Sequence, residues 1–403
     1  MPSSPSLLSL ETLGASVLNT GVLLRLLGAW FGYRLLLALY NVSPFHPLHK
    51  FPGPRWAAAT FLYEFWYDFV RHGRYVNEIR KMHEVYGIRA PFSQADRIFL
   101  HSSGVLNSCP MLGPIVRINP EELHCLDSSF VNEIYPGGGR IRDKHRHYLN
   151  ANVGPVAVTA FGSETHELHR MRRGPLNRFF SKAQMAKLEP SSNNSATSCW
   201  PGPGNPEKRQ RLEKELAKAG VDPSGKNLSW AQLEQIPYLY GVVHETLRMC
   251  HGLSTRLARV ARTEDLIYRN QAGFGWGDEP GTFEYVIPRG TPIGMSSGLT
   301  HRDASVFPEP EAFRPERWVT ARGERNTVLE KCLLSFSKGS RICLGMNLAM
   351  CELYLTVAAV VLRVAPRMEL VSENDDFVAM DHEVIIPKPK KGTKPITVVI
   401  SPE

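Results

Sequence analysis

Toward the C-terminal end, the string Phe336-Ser-Lys-Gly339-Ser-Arg341-Ile-Cys343-Leu-Gly345 runs straight into an apolar stretch beginning at Met346. A cysteine in a glycine-flanked loop just ahead of a helix gains anionic character from the positive end of the helix dipole and from free backbone N–H groups near the sulfur. That is how a chain presents a thiolate to a soft metal. Gly339 and Gly345 permit a tight turn and close backbone approach, Phe336 can screen the sulfur from water, and Arg341 offers a rigid fork for a carboxylate. A lone cysteine, taken by itself, more commonly reads as a buried structural thiol. Two more strings stand upstream. Glu245-Thr-Leu-Arg248 sets a carboxylate and a guanidinium three apart on one helix face, which taken alone reads as a surface ion pair. Phe313-Arg-Pro-Glu-Arg317-Trp318 is interrupted by proline and carries aromatics at both ends, which taken alone reads as a pinned loop.

In their order and spacing toward Cys343, the three strings together resemble the cytochrome P450 family of haem-thiolate monooxygenases, in particular its fungal membrane-bound members. The cysteine loop matches F-x-x-G-x-R-x-C-x-G throughout, E-x-x-R is present, and SSGLTHRDASVFPEPEAFRPERW (296–318) looks like the family's approach to its third motif. The resemblance implies that Cys343 is the axial ligand of the iron of haem b and that Arg341 contacts a haem propionate. It implies also that Glu245, Arg248 and Arg317 form a buried triad, and that Phe336 and Gly345 shape the sulfur loop. His169 and Arg173 in HELHRMRR match the family's H-x-x-x-R helix beside the propionates, and Arg259 in STRLARVA matches another propionate contact. HELHR also reads as a plain basic, solvated helix. A zinc pair of His166 and His169 lacks a third ligand and the H-E-x-x-H spacing.

By the same resemblance the chain inserts one oxygen atom of O2 into an apolar small molecule, a terpenoid or polyketide of fungal secondary metabolism. The thiolate pushes electron density toward iron to favour O–O cleavage. Electrons come from an NADPH-dependent reductase, whose acidic flavin domain would meet a basic face around the cysteine.

Composition is consistent with a folded chain of this kind. Its 403 residues are 43% hydrophobic and 21% charged, which excludes a disordered tail or a fibrous protein. The net charge of +8 suits an anionic membrane face or an acidic partner. Nucleic acid is not expected as a partner: no run of four Lys or Arg occurs, and no zinc-finger or RNA-binding signature is present. Seven scattered cysteines without a C-x-x-C pair suggest neither a disulfide framework nor a zinc site.

The elements that must position these residues begin with Val17–Tyr40, apolar and long enough to cross a bilayer core of about 30 Å. Arg25 and Arg34 interrupt it, so an interfacial amphipathic helix and a core helix remain alternatives. Basic residues follow rather than precede it, placing the body on the cytosolic side; the resemblance implies that the membrane is that of the endoplasmic reticulum. The expected organisation is an anchor over 1–43, a stiff Pro-rich arm over 44–56, the N-terminal part of the haem domain over 57–190, a low-complexity linker over 191–205 and the C-terminal haem-binding part over 206–403. Helices are expected over Phe61–Tyr86, twice within Glu164–Lys187, from Pro206 to a stop at Gly220 with Asn205 as cap, over Pro237–Cys250, and over Met346–Val364, the last buried on every side. Short strands are expected at 115–118, 257–268 and 283–287, and a hairpin with a lysine-rich turn at the tail. The fold class is mainly α with a minor β-sheet (α+β).

Two departures from the family stand out. Arg173 and Glu245 are only 72 positions apart, where relatives carry far more, including the helix that crosses the haem and delivers protons to bound oxygen. The expected fold thus lacks much of its central helices. Ala219-Gly-Val-Asp-Pro-Ser224 imitates that helix's motif, but Gly220 and Pro223 end a helix there. Residues 88–113 interrupt a helix-to-strand junction as an atypical insertion without periodicity. Pro136–Gly139 and Gly273–Gly277 lack the strand and helix that a phosphate loop needs. A catalytically inactive, truncated remnant is therefore the alternative function.

Overall fold

A computed structural model describes residues 20–87, 114–149, 154–192, 206–225, 227–250, 252–269, 284–372, 379–384 and 386–401. The insertion at 88–113, residues 193–205 of the linker expected over 191–205 (Asn205 included), the loop at 273–277 and the first part of the anchor lie outside the described residues, whereas 191–192 are helical. Helix α1, Thr20–Val42, has 23 residues and is exposed along nearly its whole length. No apolar stripe distinguishes one of its faces. It docks onto the body only at its end, where Asn41 Nδ2 donates to the Ala59 carbonyl at 3.0 Å and the Arg117 guanidinium donates to the Asn41 carbonyl at 2.9 Å.

The helix expected over 61–86 is two. Leu62–Phe65 continues into a wider turn, Trp66–Val70, and the chain then reverses before α2, Tyr75–Tyr86. Both His72 and Gly73 have positive φ, +54° and +77°. A Cβ on Gly73 would overlap the Glu383 carbonyl oxygen, and the Glu383 N–H donates to the Gly73 carbonyl at 2.7 Å. The break therefore exists to dock a C-terminal strand, a contact that helical periodicity cannot reveal.

Helices α3, His166–Asn177, and α4, Lys182–Ser192, form the basic pair. α5, Pro206–Lys218, buries Leu212 and Leu216 and stops at Gly220, whose φ is +68°. α6, Pro237–Met249, begins with proline in its first turn and buries nearly every residue. α7, Met346–Ala359, continues into a wide turn over Val360–Val364. Its C-terminal part buries Tyr354, Leu355, Val357 and Ala358, but its first two turns remain half-exposed beside Cys343. The expectation of burial on every side is corrected there: Cys351 is fully buried and Leu348 and Met350 pack against the core on one side only, so these turns keep a partly exposed face.

Strands β1 (Ile115–Arg117), β2 (Leu123–Cys125), β3 (Asp143–Lys144), β4 (Arg259–Val260) and β7 (Pro292–Gly294) form a sheet in the order β1-β2-β7-β4-β3. β2 and β7 are parallel and the other pairs antiparallel. β5 (Leu266–Arg269) and β6 (Glu284–Ile287) make a ribbon whose alternate residues are buried. The tail is not one hairpin: β9 (His382–Val384) pairs with β10 (Ile386–Lys388), whereas β11 (Thr397–Ile400) returns to β8 (Met368–Ser372). Pro389 and Pro395 cannot donate to a ladder, and the lysine-bearing segment 389–396 between β10 and β11 lies outside both pairings. The largest core cluster joins α5, α6 and α7 around Trp318 and Phe307. The fold is mainly α with a minor β component.

Candidate active site

The Cys343 loop is built on backbone geometry. Gly339 has φ +68°, and a Cβ there would lie 2.3 Å from the Pro136 carbonyl oxygen. The loop thus packs on the backbone of the Gly-rich stretch at 135–139, and the Ser340 N–H donates to the Pro136 carbonyl at 3.2 Å. The Cys343 N–H donates to the Phe336 carbonyl at 2.8 Å, closing the turn just ahead of α7. Cys343 itself is exposed.

The N-terminus of α3 is fastened to β3. Thr165 caps the helix through the Leu168 N–H at 3.2 Å, the Asp143 carboxylate accepts from the His166 N–H at 2.7 Å, and the Lys144 N–H donates to the Glu164 carbonyl at 2.9 Å. The Arg341 guanidinium donates to the carbonyls of Ser163 and Glu164 at 2.8 and 2.7 Å and to that of Arg142 at 3.3 Å. Arg173, one α-turn beyond His169, donates to the Ile342 carbonyl and to Asn177.

These attachments enclose a cavity of about 410 Å3 whose walls include Cys343, Arg341, His169, Arg173, Arg259, Phe336 and Gly345. All the residues that the sequence assigns to the cofactor thus meet at one place. Phe161, Leu176, Leu253, Leu257 and Leu344 add apolar wall, and Lys144 adds a cation. Lys144 lies outside the three motif strings and takes no role from the sequence, and its place here depends on a strand pairing that single-sequence reading does not supply.

The electrostatics are one-sided. Lys144, Arg259 and Arg341 are 4%, 3% and 7% exposed. Among the described residues their hydrogen bonds run to backbone carbonyls: Lys144 to Phe161, Arg259 to Leu257 and Ala258, and Arg341 as above. Burial, then Arg259 and Arg341, push the Lys144 pKa down to about 7. Burial and the neighbouring Arg341, Arg173 and Lys144 bring His169 to about 3, so its imidazole is neutral.

Haem fits what is present. The cavity lies in the ordinary range for a ligand site, roughly 300–1,000 Å3. Its apolar walls suit a flat macrocycle, its unbalanced cations suit two carboxylates, and a soft thiol stands at its edge. A Cβ on Gly345 would meet no described atom within 4 Å beyond its chain neighbours, so this glycine leaves room rather than serving internal packing.

The second predicted constellation lies outside the cavity. Glu245 accepts from Arg248 Nη2 and Nε at 2.8 and 2.9 Å, from Arg317 Nε at 3.1 Å and from the Arg314 N–H at 2.8 Å. Trp318 Nε1 also donates to it at 2.8 Å, a partner the motif does not announce. Against burial, which favours the neutral acid, Arg248 and these N–H donors hold the Glu245 carboxyl below its ordinary range.

A second cavity, of about 490 Å3, shares a wall with the first: residues 253–257 give Leu253 and Leu257 to one side and Thr255 and Arg256 to the other. Phe61, Phe65 and Phe69 line it, and Arg256 pairs with Glu64 at 2.6 Å.

The family profile "Cytochrome P450" matches residues 204–393. The chain is 34% identical over 370 residues to the cytochrome P450 monooxygenase ppzE of Metarhizium rileyi, covering 79% of this chain and 85% of that protein. It is 29% identical over 466 residues to the cytochrome P450 monooxygenase astB of Talaromyces wortmannii, covering 81% and 85%, and 26% identical over 559 residues to oblB of Emericella variicolor, covering 95% and 94%. With motif, cavity and relatives in agreement, this chain belongs to the cytochrome P450 family and is a haem-thiolate oxidoreductase of the monooxygenase class.

Proposed function

We propose that the chain holds haem b by the Cys343 thiolate and inserts one oxygen atom from O2 into an apolar small molecule, a terpenoid or polyketide of fungal secondary metabolism. When bound, the haem supplies the reduction of dioxygen and the oxygen transfer. The observation that carries the reading is the convergence of a thiol, apolar walls and unpaired buried cations on one cavity. Cys343 acts as the ligand, its loop held by the Phe336 carbonyl and by Gly339. Arg341, Arg259, Arg173 and His169 receive the carboxylate edge, the cations by charge and the neutral imidazole by hydrogen bonding. Phe336 and Gly345 exclude water and leave space. Glu245, Arg248 and Arg317 hold the scaffold around them. The aromatic second cavity beyond residues 253–257 supports an apolar substrate.

In this reading residues 1–43 anchor the protein in the endoplasmic reticulum membrane with the body cytosolic, and 44–56 form a stiff arm. Residues 57–190 and 206–403 are the two parts of the haem domain, joined by 191–205. Exposed Trp56, Leu62 and Phe69 near the base of α1 support contact with the bilayer. An NADPH-dependent reductase supplies electrons, and the +8 charge supports an acidic partner surface.

A second reading, a remnant that activates no oxygen, is favoured by one observation: the alignments to astB and oblB span 466 and 559 residues against 403 in this chain, so those proteins contain segments without a counterpart here. Membranes containing the chain and the reductase, given NADPH under carbon monoxide, separate the two. The monooxygenase reading expects a strongly red-shifted Soret band driven by NADPH. Absence of any such band, with haem supplied, leaves the remnant.

A further inference from the structure

The Lys144 ammonium is deeply buried, lines the Cys343 cavity and belongs to none of the three motif strings around Cys343, Glu245 and Arg317. β3 and β4 are antiparallel with Lys144 directly opposite Arg259, so their side chains emerge on the same face of the sheet. Like charges in that register oppose each other, and Arg341 adds a third cation to the cavity wall. Among the described residues none of the three makes an ion pair. Lys144 instead donates to the Phe161 carbonyl and stands 3.7 Å from the centroid of the Phe161 ring. Both are neutral partners, and neither offsets a buried charge as a carboxylate does.

We propose that Lys144 is a cofactor-holding residue: its ammonium binds a carboxylate of the dianionic macrocycle taken by this cavity, completing a clamp with Arg259 and Arg341. The inference rests on the haem-pocket reading above. It explains why three cations that make no ion pair among the described residues are gathered in one low-dielectric wall, where Asp143 is already paired with Arg262, an arrangement that favours the filled cavity over the empty one. The position agrees with a proton-linked role, because the ammonium is close to losing its proton in the empty cavity and an arriving carboxylate favours its retention.

Metal-free protoporphyrin IX isolates this contact, because it keeps both carboxylates and removes the iron that Cys343 would bind. The full-length chain in detergent micelles is titrated with the diacid and with its dimethyl ester, following porphyrin fluorescence. Lys144→Met should weaken the diacid by about tenfold to a hundredfold, the range of one charge-assisted hydrogen bond, and leave the ester unchanged. Lys144→Arg should retain diacid binding within about threefold. Diacid affinity of the unaltered chain should fall as pH rises from about 7 to 9, and that of Lys144→Arg should not, which keeps the question open to test even if the Met variant fails to fold. Equal diacid binding by Lys144→Met and the unaltered chain overturns the inference. Parallel loss of diacid and ester also overturns it, because it marks a structural role. An unaltered chain that binds neither porphyrin overturns the pocket reading as a whole.

Discussion

Two charge clusters within one domain are built on opposite rules. Around Glu245, one fully buried carboxylate is surrounded by Arg248, Arg317, the Trp318 indole and the Arg314 N–H, and the charges close on themselves. Around Cys343, three buried cations meet, among the described residues, carbonyl oxygens and the rings of Phe161 and Tyr135 but no carboxylate hydrogen bond. The first cluster belongs to folding, since each member finds its partner inside the chain. The second is incomplete without something anionic and apolar, and its imbalance is the strongest mark of a ligand site in the molecule. A paired buried charge is not by itself a sign of function, whereas an unpaired set lining a cavity is.

The sharpest way to break this contrast is Glu245→Ala. Removing the shared carboxylate strands two arginines and an indole N–H, and the expected loss is about 3–5 kcal/mol, read by urea unfolding; a loss under about 1 kcal/mol would show that the cluster is not the closed unit described. Next in size is Gly339→Ala. It places a Cβ against the Pro136 carbonyl at a positive φ and should cost about 1–3 kcal/mol along with cofactor retention. Unchanged stability and haem content would remove that packing from the account.

Lys144→Met should act in the opposite sense on the empty protein, raising its stability at pH 6 by a few kcal/mol, on the order of the lowered ammonium pKa at about 1.4 kcal/mol per unit less the packing lost with the side chain. The unfolded chain keeps this proton up to about 10.5 and the folded chain releases it near 7, so the unfolded state binds more protons between those values. Stability of the empty protein should therefore gain a contribution that rises with pH across that window and disappears in the variant. A flat difference between the two pH profiles would contradict the burial of a charge there. The smallest effect belongs to Gly345→Ala, whose Cβ meets open space. Empty-protein stability should move by less than about 0.5 kcal/mol while haem affinity drops; a large change in unfolding midpoint would mean that Gly345 packs internally after all.

What the sequence disclosed divides by range along the chain. The Cys343 loop, the pairing of Glu245 with Arg248, and the limits of α5 were legible, because each depends on residues within a few positions: a glycine at a positive φ, an i,i+3 face, a proline start and a glycine stop. Lys144 was not, because its role depends on opposing Arg259 across strands more than a hundred residues apart. The reversal at His72–Gly73 and the separation of β11 from β10 were missed for the same reason, since a distant strand or the β8 partner decides each. The half-exposed start of α7 was hidden by composition: uniformly apolar residues read as core whether or not every face is covered by packed side chains.

The sulfur carries the central claim, and its most direct test is the carbon monoxide difference spectrum of the reduced, haem-loaded protein beside its Cys343→Ser variant. A thiolate at this position predicts a strongly red-shifted Soret band in the unaltered protein and its disappearance in the variant, with haem content and fold retained. An identical band in both would place the iron on another residue and contradict the assignment.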